Sequence, residues 1–328
     1  MFSFSLRIVV AVLSILIFSS VTCDRSAWFL KGTVSSMFAS QGLTDRMEDS
    51  YHLIESIHGT GIYGIFDGHS GNFSSKFAAG KLADMIETEL KKCASNPGDC
   101  ISSGELNGKL DIEKMLSYFI GRIESLLKTA YKKDHQLSGT TCLVVIAEKN
   151  RLTVANVGDS RGVMCDSKGK AIPLSYDHKP DRPDEAQRIK EAGGKIEKDG
   201  VWRVNGLSMS RSLGSFFEKG NKNLIIATPD ILTFNLDEHK PSFMILASVG
   251  LWDLMTNQEA VDFVKNECSN EIDFGAKELV LRALRLSPFY NITVIIVKFI
   301  NGQYVVGSAN GGYFSAMGEV RLAIQCDL

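Results

Sequence analysis

Charge of one sign is what this sequence most lacks. Its 36 lysines and arginines nearly cancel 38 aspartates and glutamates, leaving a net −2 with no long basic block, so the electrostatic footprint of a nucleic-acid binder is missing. The short pairs Lys91-Lys92 and Lys132-Lys133 lie on amphipathic stretches and read as solvated helix faces. No internal linker, repeat or low-complexity tract is evident, which excludes solenoids and strings of tethered modules. What is there is apolar: 44% of 328 residues are hydrophobic, enough to bury a large core. Length alone permits one big soluble domain or two small ones, and the missing linker favours one.

The N-terminus also falls short of a full membrane span. Arg7 precedes an uncharged stretch from Ile8 to Cys23, shorter than the roughly 20 residues that cross a bilayer. Val21 and Cys23 suit the −3 and −1 positions of a cleavage site, with Asp24 and Arg25 following at once. Residues 1–23 therefore read as a signal peptide leading to the secretory pathway or outside the cell. The alternative is membrane association through an uncleaved anchor, since counting Met1 to Leu6 lengthens the apolar stretch. Arg7 on its N-terminal flank would place the following chain in the lumen or outside. Cys93 and Cys100 flank the turn-forming Ala-Ser-Asn-Pro-Gly-Asp, where a short-loop disulfide is geometrically reasonable. Cys142 and Cys165 sit in apolar runs as small buried hydrophobes, and Cys268 with Cys326 is a further conceivable pair. Of two Asn-x-Ser/Thr sequons, Asn72 reads as exposed and Asn291, at the head of an apolar strand, as inaccessible.

Periodicity separates strands from helices. Val34 to Ala39, Ser50 to Ile57, Gly61 to Phe66, Thr140 to Glu148, Arg151 to Val157, Gly162 to Asp166, Ser242 to Ala247 and Ile292 to Phe299 read as strands. Phe77 to Lys92, Ile112 to Lys132, Arg182 to Ala192, Asn257 to Cys268 and Ala276 to Leu286 read as helices. Antiparallel-type strands interrupted by helix pairs predict an α+β sandwich. The stretch from Asn301 to Leu328, rich in Gly and Ser at first, reads as an irregular tail.

The run Gly61 to Gly71 joins an apolar strand to a turn carrying Asp67 and His69, with Gly68 and Gly71 permitting a tight exit and close backbone approach. A plainer reading makes Asp67 the cap of a helix starting near Asn72. Other segments decide between them. Gln41-Gly42 to Met47-Glu48-Asp49, Phe66-Asp67-Gly68-His69, Ser138-Gly139-Thr140-Thr141, Val157-Gly158-Asp159-Ser160-Arg161 and Arg203-Val204-Asn205-Gly206 to Ser210-Arg211-Ser212-Leu213-Gly214 stand in order. With Asp177-His178-Lys179-Pro180, Trp252-Asp253 and Asn291-Ile292-Thr293-Val294 they resemble the metal-dependent protein phosphatases, the PPM or protein phosphatase 2C type, nearest its protein phosphatase 1-like branch. The resemblance covers about Ser36 to Phe299 and places a phosphatase-like domain over residues 34–300. It implies two packed antiparallel sheets flanked by helix pairs, an α-β-β-α sandwich with a metal cleft at one sheet edge.

It also implies a chemistry. Two Mg or Mn ions share a carboxylate and lower the pKa of a water that attacks a phosphoserine or phosphothreonine in line, while an imidazole protonates the leaving alkoxide. By this resemblance Asp67 is the bridging metal ligand, Gly68 gives its carbonyl, and His69 is the leaving-group acid. Glu48 and Asp49 orient metal-bound waters, and Asp159 and Asp253 belong to an accessory metal site. Departures cluster in the same place. Val249 and Tyr290 stand where the family has two metal-binding aspartates, Thr44 replaces the phosphate-gripping arginine, and Ser215 replaces an aspartate. Arg46 is the candidate for partial rescue of the phosphate contact, although two residues along a strand displace it by about 7 Å. Arg161, Arg203 and Arg211 read as ties between loops and sheet.

These losses predict a catalytically impaired phosphatase fold that binds one weak ion or none and recognises a phosphoprotein or acidic protein ligand. The alternative is an active or weakly active Mg/Mn-dependent serine/threonine phosphatase, and a third is an anchored form facing the cytosol.

Overall fold

Several central strands are apolar on both faces, so each face has to be covered. The computed structural model describes residues 21–96, 100–101, 110–134, 138–220, 222–268, 275–306 and 316–326, and it meets that requirement with two stacked antiparallel sheets, each backed by helices. The chain begins with β1 (Val21–Lys31), β2 (Ser35–Ser40), β3 (Ser50–Ile57), β4 (Thr60–Phe66) and β5 (Gly68–His69), followed by α1 (Phe73–Ser95) and α2 (Ile112–Asp134). Next come β6 (Gly139–Thr140), β7 (Cys142–Glu148), β8 (Arg151–Val157), β9 (Arg161–Cys165), β10 (Ala171–Pro173), α3 (Pro183–Glu191), β11 (Glu197–Asp199), β12 (Val201–Arg203), β13 (Leu213–Gly214) and α4 (Phe216–Lys219). The last part holds β14 (Asp230–Asn235), α5 (Leu236–His239), β15 (Phe243–Ala247), α6 (Val249–Trp252), α7 (Asn257–Glu267), α8 (Ala276–Leu286), β16 (Ile292–Lys298) and β17 (Ala316–Cys326).

One sheet runs β10-β9-β15-β16-β2-β1-β17 and the other β14-β8-β7-β4-β3, with a small sheet β13-β6-β5 beside them. β16 shows why they stack. Ile292, Val294 and Ile296 pack with Val261 and Val264 of α7 and Leu279 and Val280 of α8, whereas Ile295 and Val297 belong to the core between the sheets. That inner core also takes Met37, Tyr63, Ile65, Leu143 and Met244. On the far side Ile62, Phe66 and Val144 pack under Leu82 and Ile86 of α1 and Leu116 and Ile120 of α2. Helix boundaries follow local chemistry. α7 opens on a capping box in which Thr256 and Glu259 satisfy each other's backbone amides.

The expected α-β-β-α sandwich is therefore found, with three local differences. The tail expected to be irregular contains β17, which pairs with β1 from Val21 opposite Cys326 to Lys31 opposite Ala316. Its alternation at Val320, Leu322 and Ile324 is obscured by the glycines before it. β1 also begins within the segment read as a leader; residues 1–20, and the signal-peptide assignment with them, lie outside the described residues. Residues 41–49 form a loop rather than a strand, so the 7 Å strand offset does not apply to Arg46. Cys93 and Cys100 are joined by a disulfide, and Cys142, Cys165 and Cys268 are buried thiols outside any disulfide. Among the described residues no helix is long and apolar enough to cross a membrane.

A buried carboxylate couples the two sheets. Glu55 of β3, 1% exposed, accepts hydrogen bonds from the amides of Thr33, Val34 and Ser35 and from the hydroxyls of Thr33 and Ser35, at 2.6–2.9 Å. It thereby clasps the β1–β2 turn of the other sheet. Burial works to raise its pKa, and the bonds from Thr33, Ser35 and Val34 outweigh burial and lower it. Gly32 leaves the room, because a Cβ there would lie 2.1 Å from Glu55 Oε1. Glu55→Ala is expected to cost about 3 kcal/mol or more by leaving buried donors unpaired, measured by denaturant unfolding. Because the folded pKa is depressed, the clasp stabilises fully above the usual glutamate range and is lost as pH falls through the folded value. The variant's stability should accordingly converge on wild type in acid.

Candidate functional site

The C-terminal ends of β4 and β15, the N-terminal end of β16 and the loop after β2 meet at one edge of the sandwich. Thr44, Asp45, Arg46, Glu48, Asp67, Gly68, Val249, Phe289, Tyr290 and Asn291 line a cleft there of about 350 Å³. Gly68 is needed for this closeness, since a Cβ would lie 2.3 Å from the Glu48 carbonyl oxygen.

Asp67 is the centre of a carboxylate group. Its Oδ2 accepts the Val249 amide at 3.1 Å. Burial, then the neighbouring Asp49 and Asp159, hold its acid well above the usual range, against the Val249 bond that favours the charged form. Asp49 is also raised, chiefly by burial, although its Oδ2 accepts the Thr293 hydroxyl at 2.7 Å. Asp159 pairs with the Lys179 ammonium at 2.5 Å. Burial pulls Lys179 down and Asp159 more than reverses it. One oxygen of Asp49 and one of Asp159 are buried without a hydrogen-bond partner among the described residues. Glu48 accepts the Gly71 amide at 2.8 Å.

Among the other expected residues, Asp253 is coupled to this group: burial first raises its pKa, Lys179 lowers it and Asp159 adds to the rise. His69 Nε2 hydrogen-bonds the Ser215 hydroxyl at 2.8 Å, and burial, helped by Lys219, lowers its pKa to about 4. Its imidazole is neutral near pH 7. Gly139 makes that contact possible, because a Cβ would lie 1.9 Å from Ser215 Oγ. Asp253 is exposed on the rim of an adjoining hollow of about 590 Å³, which Arg161 also lines. Arg161 forks onto Asp177 at 2.7–2.8 Å, and Arg211 ties Glu185 to Asp230, whereas Arg203 donates to the Gly206 carbonyl. Asp67 does not cap α1, whose N-cap is Asn72, with no capping bond from its side chain. The sequon at Asn72 is not the exposed one expected: Asn72 reaches the Met47 carbonyl, and Ser74 is buried against Ser138.

Asn291 was read as an inaccessible sequon and as part of a family motif, with no role of its own, yet it builds the loop that carries Arg46 and Glu48. Its Nδ2 donates to the Gln41 carbonyl, the Thr44 hydroxyl and the Arg46 carbonyl, while its Oδ1 accepts the Glu48 amide. A polar side chain heading an otherwise apolar strand was the available signal. Thr44 is part of the same lattice, and Arg46 is exposed at the cleft.

The donor set does not fit a pair of divalent cations. Hard ions need several anionic oxygens; the cleft adds Asp45 and Glu48 to Asp67, but Val249 and Tyr290 bring only a hydrocarbon and a neutral phenol to its wall. Among the described residues no group of three or more His, Cys, Asp or Glu side chains is placed to hold a metal.

Comparison with known proteins gives a consistent picture. The family described as Protein phosphatase 2C matches residues 33–286. The chain is 42% identical over 280 residues to Protein phosphatase 1L of Bos taurus, covering 84% of this chain and 75% of that protein. It is 35% identical over 275 residues to Probable protein phosphatase 2C 45 of Oryza sativa subsp. japonica, covering 83% and 89%. Among solved structures, a serine-threonine phosphatase 2C from Toxoplasma gondii superposes with a TM-score of 0.71 at 21% identity, covering 85% of this chain and 99% of that one. At that identity the likeness concerns the fold.

Asn291→Ala should leave the sandwich folded and release the loop. The expected result is a stability loss of about 2 kcal/mol and faster hydrogen exchange at the Glu48 amide, with the β7 and β8 amides unchanged.

Proposed function

Because the chain belongs to the protein phosphatase 2C family, we propose that it keeps the family's cleft as a binding site for phosphorylated or acidic protein segments while its capacity for turnover is impaired. The observation that carries this reading is the presence of Val249 and Tyr290 in the wall of the cleft beside Asp67, at positions where the family resemblance calls for metal-binding aspartates. Each such change removes a negative charge and an oxygen from a site that must hold mutually repelling cations. Disturbing even the partners of metal ligands costs about 10 to 100-fold in affinity or activity, so loss of the ligands themselves costs more. The exposed Arg46 supplies a cation for a phosphate or carboxylate. The proposed place of action is the secretory pathway or the cell exterior, from the N-terminal sequence pattern, with a retained membrane anchor as the alternative.

A weakly active Mg- or Mn-dependent serine/threonine phosphatase is the second reading. The unpartnered oxygens of Asp49 and Asp159 favour it, since they could take a single ion.

Calorimetric titration of Mn with phosphopeptide turnover on the same sample separates the two. Wild type is expected to bind one weak ion or none, with turnover at least about 100-fold below that of the Val249→Asp/Tyr290→Asp variant. Arg46→Ala should weaken phosphopeptide binding about tenfold. Two ions and turnover in wild type, both abolished by Asp67→Ala, would overturn the proposal in favour of the enzyme.

A further inference from the structure

The opposite end of the same sheet holds a second cavity. Cys165 ends β9, Phe243 begins β15 and Lys298 ends β16, whereas the cleft gathers at the other ends of β15 and β16. Along β16 the two sites are roughly 20 Å apart at about 3.4 Å per residue. This cavity measures about 360 Å³ and lies between the last turn of α7, the β9–β10 turn and the sheet. Its walls are apolar: Phe243, Val264, Ile296 and the thiols of Cys165 and Cys268, all buried. Its volume is within the usual range for small-ligand sites.

The polar groups at the rim are unequal. Lys265 and Lys298 contribute ammonium groups. Lys265 is exposed, and its Nζ lies over Gly169, where a Cβ would come within 2.3 Å of it. Its ammonium makes no hydrogen bond or ion pair among the described residues. Lys298 is a cation beside a cation, since burial and then the Lys31 charge depress its pKa. The acid at this rim, Asp166, is turned into its own loop, where Oδ1 accepts the Lys168 and Lys170 amides at 2.8 Å. An apolar chamber with cations at its mouth is complementary to an apolar tail ending in an anion.

We propose that this cavity binds a small amphipathic carboxylate, its hydrocarbon chain between α7 and the sheet and its carboxylate at Lys265. The site is separate from the phosphatase-type cleft and does not depend on whether that cleft turns over substrate. A bound chain would bridge α7 to β9 and β16 and so stabilise the last turn of the helix.

The probes are hexanoate, octanoate and octan-1-ol, titrated calorimetrically into the full chain below their aggregation concentrations. Octanoate is expected to bind at least tenfold tighter than octan-1-ol. Hexanoate should bind more weakly, by about fourfold for each methylene lost. Lys265→Glu, a surface change that leaves the core untouched, should abolish the preference for the acid, and Val264→Phe should fill the chamber and abolish binding. Equal binding of acid and alcohol, no chain-length dependence, retention of the preference in Lys265→Glu, or no binding of octanoate would each overturn the proposal. Should Val264→Phe fail to fold, Lys265→Glu and the ligand series decide alone.

Discussion

Asp49, Asp67 and Asp159 repel one another at one edge of the sandwich, and much of what surrounds them answers that repulsion. Two unit charges 4 Å apart interact by about 4 kcal/mol at an effective dielectric of 20, a large fraction of a domain's net stability of about 5–15 kcal/mol. The three acids are met by different partners: Asp67 by the Val249 amide, Asp49 by Thr293, Asp159 by the Lys179 ammonium. Lys179 is the one full positive charge in that set. Burial first, and the neighbouring carboxylates after it, hold Asp49 and Asp67 both above their usual range.

Such an arrangement needs a frame that does not yield. Its members come from positions far apart in the chain, the Asp49–Thr293 bond alone spanning 244 residues. Only the stacking of two sheets brings them together. Glu55 fixes one sheet's turn to the other's strand, and Asn291 stitches the otherwise irregular 41–48 loop to the head of β16. The rigid parts are strands apolar on both faces; the parts facing the cleft are loops held by named hydrogen bonds. Such a division allows side chains in the cleft to change without disturbing the sandwich.

The sandwich was legible in the sequence because β3, β8 and α8 announce themselves through continuous or periodic apolar residues whose ends match the structure. β17 was missed because its alternation follows a glycine-rich approach and its partner lies at the other end of the chain. The offset of Arg46 was reckoned along a strand, whereas 41–49 is a loop, because nothing local reveals that Asn291 will satisfy its backbone. The motif residues could be named from the sequence, but not their companions. That His69 would find Ser215, and Asp159 would find Lys179, depends on contacts 146 and 20 residues apart. Hydrogen-bond partners of this kind have no periodicity to betray them.

The departures from the family pattern are each absorbed by their surroundings, and this bears on the proposed reading. Thr44 hydrogen-bonds into the loop that carries it, Ser215 to His69 and Ser212, the Val249 amide to Asp67, while the Tyr290 ring packs on the core. Ser215 even adopts a left-handed backbone, φ 51°, that a non-glycine residue keeps only when its contacts insist. Where the family resemblance calls for aspartates, valine, tyrosine and serine leave less negative charge for cations to neutralise. On this reading the cleft gains stability without bound ions at the expense of turnover, the usual direction of exchange between a strained site and a stable one.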